Sequence, residues 1–412
     1  MLAGDRRDVD GRCGMRHPQT SGDDATHTER LRRGVLVVES VHRLTVSLVR
    51  MVPPTRRQVE VPSELTLAGL HEVIQVLFDW DGDHLYEFVV GRRRYADPGY
   101  LDAWEDDDVS LAEVAGRAGK VIGYTYDLGA CWQHRIVVDA VEPAPAGTGV
   151  ARCVGGVGPH PAEYDDDRPR RLDLGALNKR LAKLPLHRKA PALAPARAAA
   201  TPQVHALAAA ARKASLLQDL VGLARWTATG RAVTPTGALK KPEVAGALQA
   251  LGLPAPPAGF HSARHLPRLD ACWRLAEDLG LLDISSRDAI PGPGLAALDD
   301  DGQTLDLWRS LWELAAVDGR VLVYEGHAVG YLWVTPPLLW ALWQAQVPLS
   351  AAELASVRPG HDQVGFVAWV LDQLVAVGGV ERLGDGRYQL TPLGRHGHLA
   401  VLEHDPRASA WR

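Results

Sequence analysis

The chain has 412 residues, 46% of them hydrophobic and 23% charged, with a formal net charge of −5. That length allows two or three domains with separate cores, and the acidic balance excludes a protein that simply coats nucleic acid. Four cysteines are too few for a disulfide framework in a chain of this size. The opening MLAGDRRDVDGRCGMRHPQT has no apolar h-region and no apolar run is long enough for a membrane helix, so a cytoplasmic protein is expected. High Ala, Arg, Gly and Pro beside 3 Met and 4 Phe point to a GC-rich bacterial coding sequence.

Residues 1–34 are polar and without period, the pattern of a disordered tail. Cys13 and His17 lie in it, too mobile and too few for a metal site. Leu44, Val46 and Leu48 alternate with Arg43, Thr45 and Ser47, as in a half-buried strand. Pro53-Pro54 breaks it, and residues 57–61 give a second strand that Pro62 ends. A helix follows with Ser63 or Thr66 as its N-cap, with Leu67, Leu70, Val73, Ile74 and Leu77 at helical spacing and with Phe78 and Trp80 closing it. His71-Glu72 resembles the start of a zinc-protease motif, but Gln75 stands where the second His belongs, so that motif is absent. Residues 84–90 alternate as a strand, 97–108 read as an acidic loop, and 111–118 as one or two helical turns.

Residues 121–136, VIGYTYDLGACWQHRI, read as strand, Asp-Leu-Gly turn and strand. Tyr, Asp, Trp and His crowd this hairpin, so any site in the first half is expected near it. A strand at 136–141 and a flexible connection at 143–149 follow.

Several short motifs then fall in one order: Val61-Pro62, Leu67, Leu70-His71, Val73-Ile74-Gln75, Trp80, His84-Leu85, Phe88, Tyr124-x-Tyr126-Asp127-x-Gly129, Trp132, His134 and Cys153-x-x-Gly156. Together they resemble the plasmid pRiA4b ORF-3-like family over residues 40–167, about a third of the chain. The resemblance implies an α+β domain. Its members' label as TnpR-like passenger proteins implies an association with mobile elements, and the resemblance implies no activity. Two departures stand out: Ala130-Cys131 replaces an acidic pair, and in residues 159–164 His160 stands for a Cys and Tyr164 for an Asp. If the acidic residues serve a shared chemistry, this chain has lost it.

Residues 168–213 read as a basic linker, with Arg168, Arg170, Arg171, Lys179, Arg180, Lys183, Arg188, Lys189, Arg197, Arg212 and Lys213 against Asp173. Leu174, Leu177, Leu181 and Leu184 suggest one short amphipathic helix within it. The linker is either a solvated spacer or an electrostatic grip on phosphates or an acidic partner.

From Ser215 helices alternate with a Gly, short strand, tight turn and short strand, most clearly where residues 364–377 lead to Val380 and the Asp385-Gly386 turn. That order suggests two winged-helix-like modules, at 214–318 and 319–412, after the α+β domain at 35–167. The fold class expected is thus an α+β N-terminal domain (antiparallel sheet with helix) and a mainly α C-terminal half. Trp308, Trp312, Trp333, Trp340, Trp343 and Trp369 at helical spacing are expected in the core.

Three chemistries compete. Cys131, His134, Cys153 and His160 supply ligand types that zinc accepts. His84, Asp127 and His134 could form an acid–base cluster, or a structural hydrogen-bonded network. Arg382, Arg387, Arg395 and His396, with His398, form the best local basic patch, for nucleic acid or as an ordinary solvated wing. No Walker A loop, Rossmann fingerprint or Gly-x-Ser-x-Gly elbow is present. The sequence thus predicts a non-enzymatic binding factor for DNA or protein, without membrane or resident cofactor. The alternatives are a metal or acid–base enzyme, with zinc as its metal, and a protein-interaction scaffold.

Overall fold

The computed structural model describes residues 40–49, 51–91, 93–96, 104–106, 109–145, 149–164, 170–189, 202–285, 287–317, 323–324, 327–328, 335–357 and 364–404. The expected tail at 1–34, with Cys13 and His17, lies outside the described residues.

Alternation at the start of the described chain produces β1 (Ser40–Leu48), whose His42, Leu44, Val46 and Leu48 are buried. β2 (Arg56–Pro62) returns antiparallel beside it. α1 (Leu67–Phe78) begins at Thr66, whose hydroxyl accepts from the Gly69 amide and so satisfies one of the free first-turn donors. It ends at Asp79 in the left-handed conformation (φ 65°), which leaves Trp80 outside the helix. Then come β3 (Tyr86–Val90), β4 (Arg93–Ala96), β5 (Trp104–Glu105), α2 (Leu111–Ala115), β6 (Val121–Tyr126), β7 (Trp132–Pro143) and β8 (Arg152–Val157). They form one eight-stranded sheet in the order β5-β4-β3-β6-β7-β1-β2-β8, antiparallel except for β4-β5. The strand expected at 136–141 is the continuation of the hairpin, because β7 runs unbroken from Trp132. α1 covers one face of the sheet, and its Leu70, Val73, Ile74 and Leu77 share a core with Leu44, Val46, Val59, Ile136 and Val138.

The inward face of β2 also carries Arg57, fully buried. Its Nε donates to the Leu77 carbonyl (3.2 Å), Nη1 to Val157 (2.8 Å) and Nη2 to Pro159 (3.1 Å). The Leu77 carbonyl belongs to the last turn of α1, where no intrahelical donor remains. One guanidinium therefore joins a strand, a helix end and the chain leaving β8.

Residues 170–189, expected as part of a linker, pack on this domain. Asp79 pairs with both Arg170 (2.6 Å) and Arg180. α3 (Leu174–Leu181) is capped by Asp173 and buries Leu177 and Leu181 in the domain core. Its Asn178 sits on the edge strand, accepting from the Cys153 amide (2.8 Å) and donating to the Cys153 carbonyl (2.9 Å). Leucine spacing forecasts the helix, but its docking partner lies on a distant strand that local pattern does not reveal.

α4 (Pro202–Lys213) and α5 (Ser215–Trp226) open the C-terminal half. β9 (Arg231–Ala232), α6 (Val244–Ala250), α7 (Pro267–Asp278), β10 (Leu282–Ile284) and β11 (Asp288–Pro291) follow, with the three strands ordered β10-β11-β9. α8 (Asp301–Trp312) and the short pair β12 (Val323–Tyr324) and β13 (His327–Ala328) come next. The chain then runs through α9 (Thr335–Gln344), α10 (Ala351–Ala355), α11 (Val364–Val377), β14 (Val380–Arg382), β15 (Tyr388–Leu390) and α12 (Pro392–His404), while Leu349 bridges Tyr388 of β15. The order from α5 to β11 recurs from α9 to β15: helix, short extended segment, two helices and a hairpin, the segment lying beside the second hairpin strand. Trp308 and Trp312 of α8 are fully buried, as their spacing predicts, and the Trp308 indole donates to the Val377 carbonyl (2.8 Å).

The two halves meet backbone to backbone. A Cβ on Gly280 would overlap the Gly119 carbonyl, and one on Gly119 would overlap Gly294, so only glycine fits. Beside this contact Arg117 pairs with Asp306, Lys120 donates to Ser310 (3.0 Å) and Arg135 donates to the Glu277 carbonyl (2.6 Å). Burial tends to raise the Asp306 carboxyl, but Lys120, Arg117 and Arg309 outweigh it and hold the group well below the carboxylate range. Gly280→Ala is therefore expected to destabilise the protein by about 3 kcal/mol or more. Gly259→Ala, at φ 80° with open space around it, should lose only about 1–2 kcal/mol. Urea denaturation compares the two, and equal losses would refute the close-contact account.

Candidate functional site

The hairpin delivers its side chains to two different places. On β6, Tyr124 and Tyr126 point to the core, and β7 sets His134 opposite Tyr124 and Trp132 opposite Tyr126. α1 brings His71, Gln75 and Phe78 to the same space, since residues four apart share a helix face.

Within that space Gln75 donates to the Tyr124 hydroxyl (2.8 Å), which lies 2.8 Å from Nδ1 of His71. The hydroxyl, having accepted from Gln75, donates to His71 and fixes that ring as the neutral Nε2–H tautomer. His71 also stacks on Tyr86 with ring centres 3.6 Å apart, and Tyr86 donates to Asp106 (2.7 Å). His134 lies among Phe78, Trp80 and Tyr124. Its Nδ1 stands 3.0 Å from the Trp132 carbonyl and must carry the proton, which leaves Nε2 a buried acceptor with no partner among the described residues. Burial pushes the pKa values of both His71 and His134 down to about 3, so neither ring is charged near neutral pH.

Toward the surface Trp80 stacks on Tyr126 (5.2 Å) and its indole donates to the Pro161 carbonyl (3.3 Å). Tyr126 donates to Glu163 (2.7 Å), the other oxygen of Glu163 accepts from the Asp81 amide (2.9 Å), and Tyr164 donates to Asp81 (2.9 Å). His84 stands edge-on to Tyr126, ring centres 5.7 Å apart.

The three acid–base candidates are thus separated. His134 points into the core, His84 flanks Tyr126 near the surface, and Asp127 (φ 49°) shapes the turn, its carboxylate accepting from the Gly129 and Ala130 amides. Among the described residues no hydrogen bond joins any two of them. The polar groups that do meet are His71, Gln75 and Tyr124. Their sequence signal is two polar residues at i and i+4 on the otherwise apolar face of α1; the Gln75 that removes the zinc-protease motif is the residue that binds Tyr124.

The metal candidates are also apart. Cys131 is exposed at the turn, while Cys153 is buried on β8, three strand spacings from β7 in the sheet order. That is about 14 Å, far beyond a shared ion. His160 forms a backbone bridge with Arg170, and its Nδ1 has no partner among the described residues. Among the described residues no group of three or more His, Cys, Asp or Glu could hold a metal ion.

Around the last hairpin the cations turn to their own neighbours. Arg382 lies near Asp372 (3.7 Å) and over Tyr388 (5.7 Å), and Arg387 donates to the Pro348 carbonyl (3.0 Å). Arg395 lies over Trp343 (5.8 Å), burial lowers the pKa of half-buried His396, and His398 is fully buried beside Trp343.

Four buried histidines, His42, His71, His134 and His398, have pKa values lowered to between about 3 and about 4 by burial. In the unfolded chain each binds its proton near pH 6.5. The unfolded state therefore holds more protons between roughly pH 6.5 and 4, and stability falls as pH drops through that window. The midpoint of urea unfolding should decrease steadily from pH 7 to pH 4.5, with a shallower decrease for His134→Asn. An unchanged midpoint would contradict the neutral, buried state of these rings.

Comparison with known proteins bears on the sheet domain. A curated relative, "Uncharacterized protein y4hQ" of Sinorhizobium fredii (strain NBRC 101917 / NGR234), is 35% identical over 117 residues, 26% of this chain and 58% of that protein. The chain thus spans less than two thirds of the relative's length. A crystal structure of a protein of unknown function, MM3350 from Methanosarcina mazei Go1, shares 24% identity over 30% of this chain and 72% of its own, with a TM-score of 0.28. Residues 40–166, which hold all eight strands of the sheet and the Tyr124 network, match the family of plasmid pRiA4b ORF-3-like proteins, as the order of motifs implied.

Proposed function

We propose that the protein is a non-enzymatic binding protein whose C-terminal half is a tandem winged-helix scaffold for protein partners. The recurring order of helix, extended segment, two helices and hairpin is that of a winged helix, and the Leu349 bridge and β9 occupy the place of its first strand. In a DNA-reading module the third helix enters the major groove and presents donors to phosphates and bases.

The observation that carries the protein-binding reading is the character of those third helices. α11, VGFVAWVLDQLVAV, has no Lys or Arg. α7 has Arg268, which reaches Gln373 (3.4 Å), and Arg274, which pairs with Asp270 (2.9 Å). The C-terminal end of α7 also meets Arg135 of the sheet domain. The same half carries exposed apolar side chains: Val347 before the Leu349 bridge, Val364 on α11 and Leu399 on α12. Exposed apolar residues suit a protein partner.

Two variants of the full chain separate the readings. R382A/R387A/R395A should leave affinity for a duplex DNA probe unchanged, and a tenfold or greater loss would favour DNA recognition by the wing. Proteins recovered with the tagged chain from its native cells should be lost with V347D/L399D and kept with the arginine variant; the reverse pattern would overturn the scaffold.

A further inference from the structure

The basic segment leaving the sheet domain is not explained by the scaffold. Residues 168–189 carry eight Lys and Arg against the single Asp173, in a chain whose net charge is −5. Part of this charge is neutralised inside the fold. Arg170 and Arg180 share Asp79, Lys189 pairs with Glu113 (2.9 Å), and Arg188 donates to the Gly149 carbonyl. The Asp173 carboxylate caps α3 by accepting from the Gly175 and Ala176 amides.

Arg171, Lys179 and Lys183 are left over. All three are exposed, and none has a carboxylate partner among the described residues. They are also held in place. Leu177 and Leu181 anchor α3 in the core, Asn178 clasps both backbone groups of Cys153, and Arg180 ties the outer turn to Asp79. Lys179 lies in the last turn of α3 and Lys183 in the turn that follows it; four residues of helical rise are about 6 Å, roughly two base-pair steps of a duplex.

We infer that Lys179 on α3, with Arg171 ahead of its N-cap and Lys183 in the turn that follows it, forms a sequence-independent contact for the phosphate backbone of duplex DNA. Long cations without acceptors neutralise phosphates but read no base edges. No aromatic residue lies between them in residues 171–183, so the face lacks the stacking platform that single strands use. The contact is separate from the winged-helix modules, and its test leaves their residues untouched.

The test uses the full chain and a fluorescent mixed-sequence duplex of about 30 base pairs, long enough to cover the face, followed by anisotropy. Three phosphate contacts predict that raising NaCl from about 50 to 200 mM weakens binding about 40-fold. R171E/K179E/K183E should bind at least about tenfold more weakly at the lower salt and lose most of the salt dependence. R171K/K179R/K183R should bind as the natural chain does, and R171A/K179A/K183A stands in if the reversal impairs folding, as judged by thermal unfolding. Asp165, Asp166 and Asp167, outside the described residues, stay unchanged in every variant. No binding at about 50 mM salt, or equal binding by the charge-reversed and alanine variants, would overturn the proposal. So would displacement of the duplex by polyglutamate as effectively as by unlabelled DNA of equal charge, which would assign the face to an acidic protein.

Discussion

A guanidinium held by main-chain carbonyls ties the sheet domain together. Arg57 keeps its charge in the interior because main-chain carbonyls surround it, from the end of α1 and from the chain that leaves β8. A buried charge is tolerated only when its donors are satisfied, and here that requirement fixes where residues 157–159 run. Their path sets the next steps in order. His160 and Arg170 bridge, Arg170 and Arg180 reach Asp79, and α3 arrives on the edge of the sheet. The segment that looked like a spacer is placed by one arginine, twenty residues before the Leu77 carbonyl that it holds.

The interior of the domain and its partner half answer different demands. Around Tyr124 the hydroxyl is the hub, with Gln75 and His71 both on it, while Gln75 Oε1 and His134 Nε2 are left without a partner among the described residues. Such a network rigidifies a core and specifies which residues face one another. At the junction with the C-terminal half the demand is proximity. Gly119, Gly280 and Gly294 let backbones touch, and Asp306 then meets Arg117 and Lys120 in a confined space where the cations outweigh the burial of its carboxyl. The sheet domain and the helical half therefore act as one body.

Much of this is local and could be read from the residues. Alternation in residues 43–48, the Asp127-Leu128-Gly129 turn and the apolar spacing of α1 and α11 specify their elements directly. The order of short motifs carried the family resemblance over β1 to β8. What local pattern could not supply was pairing across distance. β8 was visible only as Cys153-x-x-Gly156, and α4 was hidden in a stretch rich in Ala. The hairpin drew attention to Asp127 and His134 because their chemistry is conspicuous. Strand geometry sends one into a turn and the other beneath the sheet, and a period of two says nothing about what α1 places opposite them. His71 and Gln75 met Tyr124 instead, a contact set by tertiary packing.

The amide of Asn178 has a consequence for how this molecule can associate. The last strand of an open sheet presents hydrogen-bonding groups that invite another chain to continue the ladder. By matching both the N–H and C=O of Cys153, Asn178 imitates the next strand for a single residue and then stops. Growth of the sheet is thereby blocked near the start of β8, and a second copy cannot add there without first lifting α3 away. A helix that carries surface charge on one side is, on its other side, a guard against fibre-like stacking of the sheet domain.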